Sequence, residues 1–131
     1  MEATHFVRPW VVMEKLGFSR GRLIELNPKV VHCSITGFGT SGPYSNRPAY
    51  DTVGIALSGI ASLMLEAKNP ELMGPTLADN VTGMYACIGI LAALHARDET
   101  GEFQRVEVNM IESAISLIPD PHAIYTQIGQ V

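Results

Sequence analysis

The chain has 131 residues, 47% hydrophobic and 17% charged, enough for one domain with a real core. Its net charge of -4 leaves neither the basic footprint of a nucleic-acid binder nor a polybasic membrane patch. Cys33 and Cys87 form no CxxC pair, which points to a reducing, cytoplasmic compartment.

The first five residues lack the charged-then-apolar layout of a signal peptide. Residues 1–10 read as a loop broken by Pro9. Val12 to Leu16 reads as a short helical turn stopped by Gly17. Ser19 caps a second helix, Arg20 to Leu26, which ends at Asn27-Pro28 because the residue before proline avoids the helical region. Val30 to Thr36 is β-branched and bounded by turn residues, so it reads as a strand. Gly37 to Ala49 is a loop rich in Gly, Ser, Asn and Pro. Asp51 then stands as a cap for an uncharged helix, Thr52 to Leu65, and a second loop runs from Glu66 to Leu77.

The next segment organises the chain. Asp79 precedes an uncharged apolar run, Val81 to Leu94, and so stands where a helix should begin. The helix runs to about Arg97. The uncharged stretch Asn80–Ala96 is barely of membrane-spanning length and contains Gly83, Gly89 and His95, so it reads as a buried core helix. After a turn at Asp98 to Gly101, Gln104 to Asn109 alternates as a strand. Met110 to Ile118 is helical up to Pro119, and the tail from His122 starts another helix. A strand, a long helical crossover and a strand imply a parallel sheet covered by helices. Both central helices are apolar nearly all round. Two strands cannot cover that much apolar surface, so the chain reads as part of a larger domain or as one that needs a partner chain.

The candidate chemistry is sparse. Gly37 to Gly42 matches GxGxxG after a strand, but Pro43 to Pro48 follows instead of a helix, so a dinucleotide loop lacks its context. The loop still leaves the carboxyl end of a strand, where ligands bind in open α/β sheets. His5, His32, His95 and His122 have no zinc-ligand spacing, and no metal is expected. No GxSxG or GKS/T motif occurs. Cys33 and Cys87 read as core thiols. Arg8, Lys15, Arg20 and Arg22 form either a solvated basic face or a phosphate patch. Asp79 is either a plain helix cap or a nucleophilic carboxylate, and the residues alone leave both open.

Several segments, in order and spacing, resemble one family. They are Arg8-Pro9 with Val12 to Gly17, Leu26 to Val31, Ser34 to Gly39, Ser41 to Tyr44, Arg47 to Asp51, Leu57 to Gly59, Ala78 to Gly83, Gly89 to Leu94, Thr100-Gly101 and Val106 to Met110. Together they resemble the class III CoA-transferases, which include formyl-CoA transferase, carnitine-type CoA-transferases and α-methylacyl-CoA racemase. The resemblance implies an α/β fold, with a Rossmann-like parallel sheet and flanking helices. Residues 1–131 would be a single, incomplete segment of the large domain, from a protein that forms an interlocked homodimer. It makes Asp79 the catalytic carboxylate. It places CoA contacts at Phe6, Arg8 and Lys15 and across Pro48, Ala49, Tyr50 and Asp51. No permanently bound cofactor is implied. Coenzyme A thioester is the substrate, with acyl-CoA and a carboxylic acid as partners and neither nucleic acid nor membrane involved.

The implied reaction moves CoA from an acyl-CoA to a free acid through an aspartyl anhydride and an aspartyl-CoA thioester on Asp79. The racemase branch uses a His before an Asp, and here Ala49-Tyr50-Asp51 puts Tyr50 in the His position. A tyrosine, which titrates near pH 10, is a poor base at neutral pH, so transferase is the better implication. An acyl-CoA racemase-like isomerase and a non-catalytic CoA-binding remnant are the alternatives. Departures from the family pattern are Trp10 after Arg8-Pro9, His5, and Glu102-Phe103 after Thr100-Gly101.

Overall fold

The computed structural model describes residues 6–7, 10–71 and 74–129, with side chains from Met13 onward. Its centre is a parallel sheet of three strands in the order β1 (Phe6–Val7), β2 (Val31–Thr36) and β3 (Gln104–Asn109). Phe6 pairs with His32, and the β2–β3 register runs from Val31 opposite Gln104 to Thr36 opposite Asn109. The parallel pairing expected from the crossover is therefore present. The stretch read as an N-terminal loop instead contributes β1. Two residues carry too little pattern to announce a strand, and their ladder partner lies more than 20 residues away in sequence.

Helices α1 (Trp10–Lys15) and α2 (Arg20–Leu26) follow β1. The Ser19 hydroxyl accepts from the Arg22 N–H at 3.3 Å, as a cap should. The reading of one helix over Thr52 to Leu65 is corrected. The segment forms α3 (Asp51–Leu57) and α4 (Ile60–Met64), split at Ser58-Gly59. Gly59 has φ +91, a conformation that ends α3 and that a β-carbon disfavours.

α5 (Leu77–Thr100) is the longest element. It extends past Arg97, and Gly101 closes it at φ +73, donating its N–H to the Arg97 carbonyl. It lies on the sheet through Gly89, where an added β-carbon would stand 2.6 Å from Val106 Cγ1. Only glycine permits that approach. Among the described residues α5 is the one helix long and apolar enough to cross a membrane. Its packing here is lateral, against β2, β3, α3 and α6. The buried core helix expected from the sequence is only partly buried among the described residues. Met84, Tyr85, Ile88 and Leu91 are exposed, because none of the described residues covers the side of α5 turned from the sheet.

α6 (Met110–Ile115) opens directly after β3, with the Asn109 side chain accepting from the Glu112 N–H at 2.8 Å. It ends three residues short of the expected Ile118. Pro119 instead starts α7 (Pro119–Ile128), where its missing N–H costs nothing. The tail helix thus begins before His122. Ile60, Ala78, Met110 and Ala114 form the main buried cluster, which joins α4, α5 and α6. The thiols differ. Cys33 is buried in β2, while Cys87 is exposed on α5, against its reading as a core thiol.

Candidate active site

The site is built at the carboxyl edge of the sheet. β2 and β3 end level with each other at Thr36 and Asn109. α5 precedes β3 and packs along it, so the N-terminal end of α5 returns to that edge. Ala78, fully buried, packs there with Met110, the first residue after β3. Asp79 follows Ala78 and is exposed.

Asp79 is not the N-cap. α5 starts at Leu77, with Thr76 as N-cap, and the Thr76 carbonyl accepts from the Asn80 N–H at 3.1 Å. Asp79 is the third residue of the helix. The apolar run by itself predicts a start after Asp79. Leu77 and Ala78 extend it backwards because the acceptor its first turn needs comes from elsewhere in the fold. Thr76 makes no side-chain cap bond. The Asp79 N–H donates instead to Asp51 Oδ1 at 3.0 Å. A carboxylate is the favoured acceptor at a helix N-terminus.

Asp51 is likewise displaced from its expected role as cap of its own helix. Tyr50 is the N-cap of α3, and Asp51 is the first helical residue. Asp51 is 8% exposed, while Tyr50 beside it is 73% exposed. The depth of Asp51 is set by two close approaches. At Gly54, one turn along α3, an added β-carbon would lie 2.8 Å from Ala78 Cβ and 2.8 Å from Met110 Sδ. At Gly37, just past β2, it would lie 2.3 Å from Ala49 Cβ. Both contacts draw α3 and its approach segment against the strand ends and the start of α5.

The glycine-rich loop after β2 is folded on itself. The Gly39 N–H donates to Thr36 Oγ1 at 2.9 Å, Phe38 and Tyr44 meet edge-to-face at 5.4 Å, and the Arg47 guanidinium lies 4.4 Å above the Tyr44 ring. No helix opens from Gly37 to Gly42, as expected from its prolines. A cleft of about 470 Å³ lies between this loop and the strand end, lined by Thr36, Gly37, Arg47, Pro48, Ala49 and Met110. A second cavity of about 240 Å³ is almost wholly apolar, with Thr52, Ile55, Ile60, Met64, Pro75 and Leu77 among its walls.

The structure thus brings Asp51 and Asp79 together and lines a cleft with Pro48 and Ala49, while Tyr50 projects outward. Lys15 is exposed at the end of α1. Phe6 lies in β1, and its side chain is outside the described residues, as is Arg8 entirely. The other two residues of that basic cluster have partners of their own. Arg22 pairs with Glu25 at 3.1 Å, and Arg20 lies 5.6 Å from the Phe103 ring. Sequence reasoning missed Arg47 stacked on Tyr44 and the bond from Asp79 to Asp51. Neither has a local signal beyond an Arg close to a Tyr in a loop. Among the described residues no group of three or more His, Cys, Asp or Glu could hold a metal.

Comparison with known proteins places the sequence and the fold. The chain is 35% identical over 109 residues to an acetyl-CoA:oxalate CoA-transferase of Acetobacter aceti, covering 82% of this chain and 28% of that protein. It is 40% identical over 106 residues to a formyl-CoA:oxalate CoA-transferase of Streptomyces avermitilis, covering 80% and 26%. The crystal structure of a CAIB/BAIF family protein from Brucella suis superposes with a TM-score of 0.86 at 30% identity, over 96% of this chain and 34% of that one. The chain therefore spans about a quarter of the length of the curated relatives it matches. CoA-transferase family III matches residues 7–131, and the chain belongs to that family.

Proposed function

We propose that this chain carries the nucleophile of an enzyme that moves coenzyme A from an acyl-CoA to a carboxylic acid, and that Asp79 is that nucleophile. The observation that carries the reading is the place of Asp79. It is an exposed carboxylate in the first turn of a 24-residue helix, at the carboxyl edge of a parallel sheet. Negative charge near a helix N-terminus interacts favourably with the helix dipole, and ligands approach open α/β sheets from that edge.

The steps follow from carboxylate chemistry. Asp79 attacks the thioester carbonyl, the C–S bond breaks, and a mixed anhydride and a CoA thiolate form. The thiolate attacks the aspartyl carbonyl, releasing the donor acid and leaving an aspartyl-CoA thioester. The acceptor carboxylate attacks that thioester, giving a second anhydride and free thiolate. The thiolate then takes the acceptor acyl group and returns Asp79 to its starting state. Each tetrahedral stage needs donors for its oxyanion. The N–H groups of the glycine-rich loop beside the cleft are the candidates in this chain. The cleft at Arg47, Pro48 and Ala49, together with Lys15, is the proposed binding surface for coenzyme A. Tyr50 in place of a histidine gives a racemase no second base.

The relatives named as oxalate transferases support a carboxylic acid acceptor in the whole protein. The exposed apolar side of α5 supports a cover supplied by further chain or by a second copy. The test is fast-quench peptide mass spectrometry after incubation with acyl-CoA, on this chain and on the longest reading frame that contains it. A CoA or acyl adduct on Asp79 is the expected result. No adduct on either form, with CoA bound, refutes the transferase reading.

A further inference from the structure

We infer that Asp51 is a positioning residue for Asp79, and that its carboxylate serves the nucleophile's backbone rather than coenzyme A. The inference rests on the transferase reading above. Family resemblance grouped Asp51 with Pro48, Ala49 and Tyr50 as one run of CoA contacts, but the structure separates it from them. Tyr50 points into solvent, whereas Asp51 is turned inward, and its Oδ1 lies 3.0 Å from the backbone nitrogen of Asp79, 28 residues away.

The physical need for this contact is local to α5. The first N–H groups of a helix have no partner inside it. The usual remedy, a side-chain acceptor at the N-cap, is absent at Thr76. Asp51 supplies the acceptor from a neighbouring helix, as a charge-assisted bond. The contact cannot slide. Gly54 of α3 and Ala78 of α5 meet too closely for an added β-carbon, and Ala78 is fully buried. One bond therefore fixes the backbone at the residue whose side chain must meet the thioester, and it leaves the Asp79 carboxylate itself exposed. A reacting group displaced by about 1 Å loses on the order of 100-fold in rate. The signature of positioning is thus a slower covalent step with unchanged binding of acyl-CoA.

Two variants of the longest reading frame that contains this chain separate the possibilities. Asp51→Asn keeps an acceptor oxygen, and Asp51→Ala removes it. Three quantities are read for each: hydrogen exchange at the Asp79 amide, the rate of adduct formation on Asp79 in a single turnover, and acyl-CoA affinity by calorimetry. For Asp51→Ala we expect faster exchange at Asp79, adduct formation slower by about 100-fold, and affinity within about 3-fold of wild type. Asp51→Asn is expected to retain amide protection and to form adduct within about 10-fold of the wild-type rate. Unchanged Asp79 exchange in Asp51→Ala overturns the inference, as does a loss of affinity as large as the loss of rate. If Asp51→Ala does not fold, a folded Asp51→Asn whose Asp79 amide exchanges freely overturns it equally. A wild-type protein that forms no adduct removes the transferase reading and the positioning role with it. Adduct formation that survives Asp51→Ala at full rate removes the positioning role alone.

Discussion

The backbone N–H of Asp79 donates to Asp51 Oδ1 at 3.0 Å, so the first turn of α5 is completed by a side chain from the first turn of α3. Two helix starts are joined at the carboxyl edge of the sheet by one buried carboxylate. Of the two acidic residues, Asp51 is spent on structure and Asp79 is left facing outward.

Asp79→Asn separates chemistry from stability. The residue is exposed, and its side chain is not the cap of its helix. The substitution removes only the interaction of its charge with the helix dipole, about 0.3–1 kcal/mol. We expect a thermal midpoint within a few degrees of wild type, a fold unchanged by circular dichroism, and complete loss of the Asp79 adduct and of CoA transfer. Turnover retained in this variant refutes the nucleophile assignment.

Gly54→Ala tests the close crossing of α3 and α5. The new β-carbon would meet Ala78 Cβ and Met110 Sδ, both at 2.8 Å. Overpacking of this kind costs about 1–3 kcal/mol, more than the helix propensity that alanine gains. A lower denaturation midpoint is expected. Gly83→Ala on α5 is the control, since nothing lies within 4 Å of its added β-carbon. That change should stabilise by about 0.5–1 kcal/mol. Equal effects at the two sites would show that the crossing is not tight.

Met84, Ile88 and Leu91 recur at helical spacing on α5 and are 64%, 60% and 61% exposed. An apolar stripe of this kind drives association or collects hydrophobic dye. The 131-residue chain is expected to sediment as associated species at micromolar concentration and to bind anilinonaphthalene sulfonate. Ile88→Lys with Leu91→Glu should suppress both, with stability changed by no more than about 0.5 kcal/mol. A dye-free, concentration-independent monomer in the wild type would contradict the stripe.

The two thiols should report opposite environments. Burial raises the Cys33 thiol above its ordinary range, whereas Cys87 is exposed. Iodoacetamide is expected to modify Cys87 in the native protein and Cys33 only after unfolding. The sign of the pH effect follows. The fold holds Cys33 neutral, so this contribution to stability is complete below the thiol's unfolded value and is lost as the pH rises through the raised folded value. Denaturant titrations from neutral to alkaline pH should therefore show a decline in the wild type that is smaller in Cys33→Val. Identical alkaline declines would remove the assignment.

Much of the fold was legible from local pattern. Alternation and β-branching mark β2 and β3, Ser19 marks the start of α2, and the uncharged run marks α5. These signals are read within one element. The failures share a different cause. β1 is two residues whose pairing partner lies in β2. The break at Gly59 competes with helix-forming neighbours, and the exposure of Cys87 depends on which side of α5 the sheet occupies. The same holds for the site. Asp79 stands out because it precedes an apolar run, but its position inside the helix depends on an acceptor 28 residues away.

By itself the sequence determined the parallel α/β architecture, the long apolar helix and the acidic residue near its start, because these arise from periodicity, turn chemistry and capping preference over a few neighbouring residues. Only the tertiary structure decided which carboxylate is buried and which is free. That choice comes from the approach of α3 to α5 through Gly54 and Ala78, a packing event between segments whose sequences carry no record of each other.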